Sequence, residues 1–249
     1  MLENTDIGRC EPGSSRHLQV LAEVMKLTNE ARFEKQAGTA GDMALQHLLD
    51  TGLLATYREK ILGNIRALRG TTHMSVMDSS GNVAGLTASN GEGCGHMIAD
   101  TGVMLNNMLG EEDLNRDGFY NWPANRRMTS MMAPTLVIST GGRKISLGSG
   151  GSNRLRTAIL QVLINIIDFD MSLHDAVSQS RIHYENELLS IEPGFSAEAL
   201  APVCEVFSKC KLWEQQNLFF GGVHAVAEHE GLFDGSGDQR RSGVAMVVD

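Results

Sequence analysis

The hydrophobic period changes at Thr71, and that change limits what this chain can build. Upstream, Leu18, Leu21, Ala22, Met25 and Leu27 fall on one helical face, and so do Tyr57, Ile61, Ile65 and Leu68. From Thr71 onward the pattern alternates through Met74 and Val76, then Val83, Gly85 and Thr87. The turn cluster Ser79-Ser80-Gly81-Asn82 lies between the two runs. This is a passage from helix to β-hairpin. The bond at the passage joins a bare glycine, Gly70, to a hydroxyl residue, Thr71.

Helices are expected over residues 16–33, 43–49 and 54–68, the first capped by Ser14 or Ser15. After the hairpin, three glycines in the run 90–95 suit a loop whose backbone approaches something closely. Residues 102–134 carry little periodicity, and a long irregular stretch that keeps Trp122, Pro123, Met131, Met132 and Pro134 reads as an ordered, working loop. A second hairpin is expected over 135–140 and 143–147, turning at Gly141-Gly142. Then Gly148-Ser149-Gly150-Gly151-Ser152 leads into a periodic helix bearing Leu155, Ile159, Val162, Leu163 and Ile166. A short helix over 173–178, a helix over 196–209 and strands over 188–191, 223–227 and 243–248 complete the pattern.

Composition narrows the partners. Thirty acidic residues against 21 basic ones give a net charge of −9, and no basic run is present. Nucleic acid and anionic membrane surfaces are therefore not expected partners. No apolar run reaches the length of a membrane span. Cys10, Cys94, Cys204 and Cys210 form no CxxC pair and no zinc-ligand spacing; no metal or organic cofactor is implied by the sequence. The cysteines read as free thiols, with Cys204–Cys210 the one pairing left open. Arg240 and Arg241 read as a salt-bridged or solvated structural feature.

Two features carry chemistry. A threonine hydroxyl is a weak nucleophile and needs a base. When the threonine is the first residue of a chain, its own α-amino group, with a pKa of about 7.7–8.0, can take the proton. β-Branching limits the side chain to few rotamers and helps to aim the oxygen. Freeing Thr71 in this way requires cleavage of the Gly70–Thr71 bond, by attack of the Thr71 hydroxyl on the Gly70 carbonyl and hydrolysis of the resulting ester. Acyl transfer also needs donors for the tetrahedral oxyanion, and the backbone N–H groups of Gly150 and Gly151 can supply them. A P-loop is the rival reading of that turn, but its Gly-Lys-Ser/Thr ending is absent.

With these pieces in place, the chain resembles the gamma-glutamyltranspeptidase family of N-terminal-nucleophile hydrolases. The matching segments are Thr71-Thr72-His73-Met74-Ser75-Val76-Met77-Asp78, Gly81-Asn82, Leu105-Asn106-Asn107, Met131-Met132-Ala133-Pro134-Thr135, Gly148-Ser149-Gly150-Gly151-Ser152, Leu160-Gln161-Val162, Arg181-Ile182-His183 and Asp238-Gln239-Arg240-Arg241. They occur in family order from Thr71 to the C-terminus. The resemblance implies an α+β fold, the four-layer αββα sandwich, here expected to be incomplete. It divides the chain into residues 1–70, the helical tail of the large-subunit region, and residues 71–249, the catalytic small-subunit region. It implies that Thr71 is the nucleophile, that Gly150 and Gly151 form the oxyanion hole, and that Ser89 hydrogen-bonds the nucleophile. By the same resemblance, Asn90 binds substrate, Glu111 stands where the family's paired aspartates bind the substrate amino group, and Thr129 and Ser130 hold its α-carboxylate.

This chain departs from the family in three ways. The loop 89–93 is about two residues shorter than the common form. Gly110-Glu111-Glu112-Asp113 replaces the paired aspartates. The upstream large-subunit region, with its carboxylate-binding arginine, has no counterpart in these residues. The expected activity is gamma-glutamyl transfer or hydrolysis on glutathione-like amides after self-cleavage at Gly70–Thr71, with the missing large-subunit portion as partner. The alternatives are a related amidase acting on polyglutamate or a β-lactam side chain, and a non-catalytic fragment or split subunit.

Overall fold

The computed structural model describes residues 7–37, 70–91, 93–111, 114–115 and 118–248, the side chains of 27–37 excepted. The helices expected over 43–49 and 54–68 lie outside the described residues. The chain divides into two compact units. One joins Met1–Asn29, Thr72–Thr87 and Met131–Asp249; the other joins Glu30–Thr71 and Ala88–Ser130.

The first unit is layered. Strands β1 (Thr71–Met77, whose first residue falls in the second unit) and β2 (Val83–Ser89, whose last two residues fall there too) form a two-stranded sheet. Strands β3 (Thr135–Ile138), β4 (Lys144–Gly150), β8 (Gly222–His229) and β9 (Leu232–Ser236) form an antiparallel four-stranded sheet in that order. Alternation along β4 sorts the two faces of this sheet. Ile145 and Leu147, with Val223, Ala225 and Ala227 of β8, pack on the helices α2 (Leu155–Ile167) and α3 (Leu173–Ser178). Ser146 and Gly148 face the hairpin: Ser146 Oγ lies 2.9 Å from Ser75 Oγ, and the bare Gly148 lies under the His73 ring. The order is therefore helix, sheet, sheet.

A second core lies in the same unit. Helix α1 (Ser15–Ala37) buries Leu18, Leu21, Ala22 and Met25 with Ile182, Leu189, Ile191, Val203 and Phe207. These partners come from β5 (Ile182–Glu185), β6 (Leu188–Ile191) and α4 (Ala197–Val206) with its C-cap Phe207, and the short β7 (Cys210–Leu212) runs parallel to β6. Ser14 caps α1, its hydroxyl accepting from His17 N–H at 3.3 Å. All four cysteines are free thiols.

Three expectations need correction. The glycine-rich run does not turn at Gly148, because β4 continues to Gly150, which pairs with Gly222; the turn comes at Gly151. Residues 243–248 form no strand; Val244, Met246, Val247 and Val248 are exposed without a ladder partner. Strands β5, β7 and β9 are present where no strand was expected.

Candidate active site

Thr71 opens β1, and its hydroxyl is 2.8 Å from the hydroxyl of Ser89 at the end of β2. Ser89 Oγ also accepts the Gly91 N–H at 3.0 Å, which fixes the serine oxygen and leaves its proton free to point at Thr71. The Gly70 carbonyl, the group that self-cleavage would attack, accepts the Asn90 N–H at 2.8 Å. A donor on that oxygen withdraws electron density from the carbonyl carbon and supports an oxyanion formed there. The Thr71 hydroxyl, its hydroxyl partner and the hydrogen-bonded Gly70 carbonyl thus meet at one hairpin end, among two residues on each side, Gly70-Thr71 and Ser89-Asn90.

The same unit ties this end to the loop that follows. Asn107 N–H donates to Asn90 O at 2.9 Å, and Asn106 Nδ2 donates to Ser89 O at 3.3 Å. A single 3-10 turn over Met108–Gly110 then carries the chain to Glu111, which is buried and whose carbonyl accepts Asn115 Nδ2 at 2.8 Å. The structure therefore brings together Thr71, Ser89 and Asn90, and connects Glu111 to them through backbone. Thr129 and Ser130 are exposed at the end of this unit, and no hydrogen bond joins Thr129 to Thr71, Ser89 or Asn90. Gly150 and Gly151 belong to the first unit.

Gly151 has φ 139°, a conformation that L side chains rarely adopt. A Cβ there would lie 2.8 Å from the Gly221 Cα, so close backbone approach by itself requires glycine at this position. The turn leads through a 3-10 step, Ser152–Arg154, into α2.

His73 is a component that the sequence reading passed over, although it sits two residues from Thr71 on the same strand, and alternate residues of a strand share a face. It is buried, with Nδ1 2.7 Å from Thr87 Oγ1 and Nε2 2.8 Å from Ser75 Oγ. Burial, aided by the neighbouring His224, pushes its pKa down to about 4. A neutral imidazole with both nitrogens engaged by hydroxyls is not available as base for Thr71.

Behind the turn, Asp238 and Glu192 hold three strands' worth of chain ends through buried ion pairs. Arg181 Nη2 lies 2.7 Å from Asp238 Oδ2, and Arg240 lies 2.6 Å from Glu192 Oε2 and 3.2 Å from Asp238 Oδ1. Asp238 Oδ2 also accepts Val223 N–H at the start of β8. Arg240 is thus salt-bridged, as expected of the pair; Arg241 has no ion pair among the described residues. Among the described residues, no group of three or more His, Cys, Asp or Glu side chains has the placement to hold a metal ion. No described helix is long and apolar enough to cross a membrane.

A layered α+β fold whose hairpin opens on a threonine places the chain among the N-terminal-nucleophile hydrolases. Residues 1–248 match the model of the family described as Gamma-glutamyltranspeptidase, and the chain belongs to that family. It is 31% identical over 185 residues to a glutathione hydrolase proenzyme of Bacillus subtilis, covering 72% of this chain and 31% of that protein. It is 27% identical over 266 residues to an acylase ACY 1 proenzyme of a Pseudomonas strain, covering 100% of this chain and 46% of that protein. Among solved structures, the gamma-glutamyltranspeptidase of Pseudomonas nitroreducens complexed with L-DON matches with a TM-score of 0.61 and 25% identity, over 72% of this chain and all of that one. The chain therefore spans about a third to a half of the length of these curated relatives.

Proposed function

We propose that this chain is the catalytic part of a self-processing acyl-transfer enzyme that acts on gamma-glutamyl amides of the glutathione type. The observation that carries the reading is the Thr71 hydroxyl held at 2.8 Å by Ser89 while the Gly70 carbonyl is held by Asn90. The Thr71 oxygen attacks that carbonyl, the ester hydrolyses, and the freed α-amine then serves as the base for the same hydroxyl. In turnover, Thr71 attacks the amide carbon of the substrate, and Gly150 and Gly151 donate to the oxyanion. The glutamyl ester passes to water or to an amine. Asn90, Glu111, Thr129 and Ser130 are the proposed contacts of the glutamyl group.

The division into residues 1–70 and 71–249 accompanies this reading. Residues 71–249 make up the same share of the chain, 72%, that the P. nitroreducens structure matches over its whole length. A large-subunit portion, from the same precursor or a separate chain, is the proposed partner. The outward face of the β1–β2 hairpin supports it, since Met74, Val76 and Leu86 are all at least half exposed there. A row of apolar side chains on a two-stranded sheet calls for a cover.

The experiment is hydrolysis of a gamma-glutamyl anilide by the chain, alone and mixed with the upstream portion that its relatives carry, beside the Thr71→Ala variant. Turnover that disappears in the variant supports the proposal; turnover that survives refutes it. The acylase relative motivates a second reading, an amidase for a glutaryl-type side chain. A clear preference for glutaryl over gamma-glutamyl anilide selects it.

A further inference from the structure

Cys204 and Cys210 stand at the two ends of one short connection in the second core. Cys204 lies in the last turn of α4, and Cys210 opens β7. Phe207, three residues after Cys204, is the C-cap of the helix, and positions three apart share a helical face. The Cys210 thiol reaches back to that cap and donates to the Phe207 carbonyl oxygen, 3.4 Å from Sγ. Both cysteines are half-buried and pack against the same core cluster, which includes Val203 and Phe207. The two thiols are therefore neighbours, and they interact directly. Cys94, by contrast, is exposed and belongs to the second unit.

The surroundings decide how such a pair reacts. Burial, and then the Cys204 thiol beside it, pushes the Cys210 thiol up to about 12, so Cys210 stays protonated at neutral pH. A thiol that ionises with difficulty is also a poor leaving group. A disulfide between the two is therefore reopened slowly by attack on the Cys204 sulfur, because that attack must expel Cys210. Neither sulfur has a part in the acyl-transfer reading.

We propose that Cys204 and Cys210 form a reversible disulfide, made by exchange with a small-molecule disulfide, that staples the end of α4 to β7. With glutathione disulfide as the oxidant the exchange runs in two steps. The Cys204 sulfur, its proton lost to solvent, attacks one sulfur of the reagent. A bond from Cys204 to glutathione forms, the reagent's S–S bond breaks, and one glutathione thiolate leaves. The Cys210 sulfur then loses its proton and attacks the Cys204 sulfur. The Cys204–Cys210 bond forms, and the second glutathione thiolate leaves. The two thiolates take up the two protons, so two protein thiols are oxidised and one glutathione disulfide is reduced to two glutathione molecules. The closed loop holds seven residues, Cys204 to Cys210. Restricting a loop of that length in the unfolded chain is expected to raise the melting temperature by about 5–9 °C.

The test incubates the full chain with glutathione disulfide, blocks remaining thiols with N-ethylmaleimide in denaturant, and maps the peptides by mass spectrometry. The peptides carrying Cys204 and Cys210 are expected to appear linked, two hydrogens lighter than their sum, while Cys94 stops at its glutathione adduct. Thermal melts followed by circular dichroism should show the gain in the oxidised chain and its loss after dithiothreitol. Cys210→Ser is expected to accumulate the Cys204 adduct and to gain no stability from the reagent. Cys204 and Cys210 recovered as thiols, as two separate glutathione adducts, or linked to Cys10 or Cys94 instead of to each other, would overturn the proposal. So would a linked chain that melts no higher than the reduced one, or an equal gain in Cys210→Ser.

Discussion

Substituting Gly148 with alanine tests whether the hairpin is seated on the four-stranded sheet through His73. A Cβ at Gly148 would lie 2.3 Å from His73 Nδ1, 2.4 Å from Cε1 and 2.7 Å from Cγ, distances that force the ring to move. The ring is 5% exposed and fixed by hydroxyls on both sides, so it moves only by giving up its bonds to Thr87 and Ser75. Overpacking of this kind costs about 1–3 kcal/mol, and each lost hydrogen bond about 1 kcal/mol more. The expected destabilisation is about 3–5 kcal/mol. In a chain of this size each kcal/mol moves the melting temperature by about 2–4 °C, so thermal melts followed by circular dichroism should show a drop of about 6–20 °C. The double variant Gly148→Ala with His73→Ala removes the clash with the ring. It should be less destabilised than the two single variants taken together, by more than about 1 kcal/mol. A Gly148→Ala chain that melts within 2 °C of wild type, or strictly additive variants, would refute the interlayer contact.

Other outcomes follow from the same geometry. Ser89→Ala removes the hydroxyl 2.8 Å from Thr71 and is expected to slow self-cleavage by about tenfold or more while leaving the fold intact, read by gel densitometry over time. Asp238→Ala strands the buried Arg181 without its 2.7 Å partner and should cost about 3–5 kcal/mol in denaturant titration; a change below about 1 kcal/mol would show that the ion pair is dispensable. His73 and His17 are both pushed down to about 4 by burial, so between that value and about 6.5 the unfolded chain binds more protons than the folded one. Their stabilising contribution is complete above about pH 6.5 and is lost as the pH falls toward 4, on the order of 1–3 kcal/mol for each. His73→Asn and His17→Asn should flatten that slope. Burial would raise the Asp238 pKa, but Arg181 and Arg240 more than offset it and hold it below the usual carboxylate range. Its contribution is therefore present above about pH 3.9 and lost on further acidification through the lower folded value.

The first hairpin, the second hairpin and helices α1 to α4 are legible in the sequence because each buries one face in one layer, and the period records it. The α+β class follows from them and is borne out. The strands that escaped notice are short or interrupted. Cys210–Leu212 is three residues long, and Leu232–Ser236 contains Asp234 and Gly235, which the alternation rule discounts. Residues 243–248 misled in the other direction: valine and methionine favour strands, but ladder hydrogen bonds need a neighbour, and none of the described strands pairs there. Gly148 looked like part of a turn because spacing alone does not reveal that its missing side chain makes room for His73. The ion pairs of Arg181, Glu192, Asp238 and Arg240 join residues up to 57 positions apart, Arg181 with Asp238, and only folding brings them together. The pairing of Thr71 with Ser89 was expected from the family resemblance alone; the hydroxyls lie 2.8 Å apart across the hairpin.

The most direct test is the identity of the N-terminus that self-processing creates. After incubation of the precursor, sequencing or mass spectrometry of the smaller product should find a chain that begins with Thr71 and carries a free α-amine, and Thr71→Ala should remain uncut. A product that begins at any other residue, or cleavage that proceeds equally in Thr71→Ala, would contradict the account.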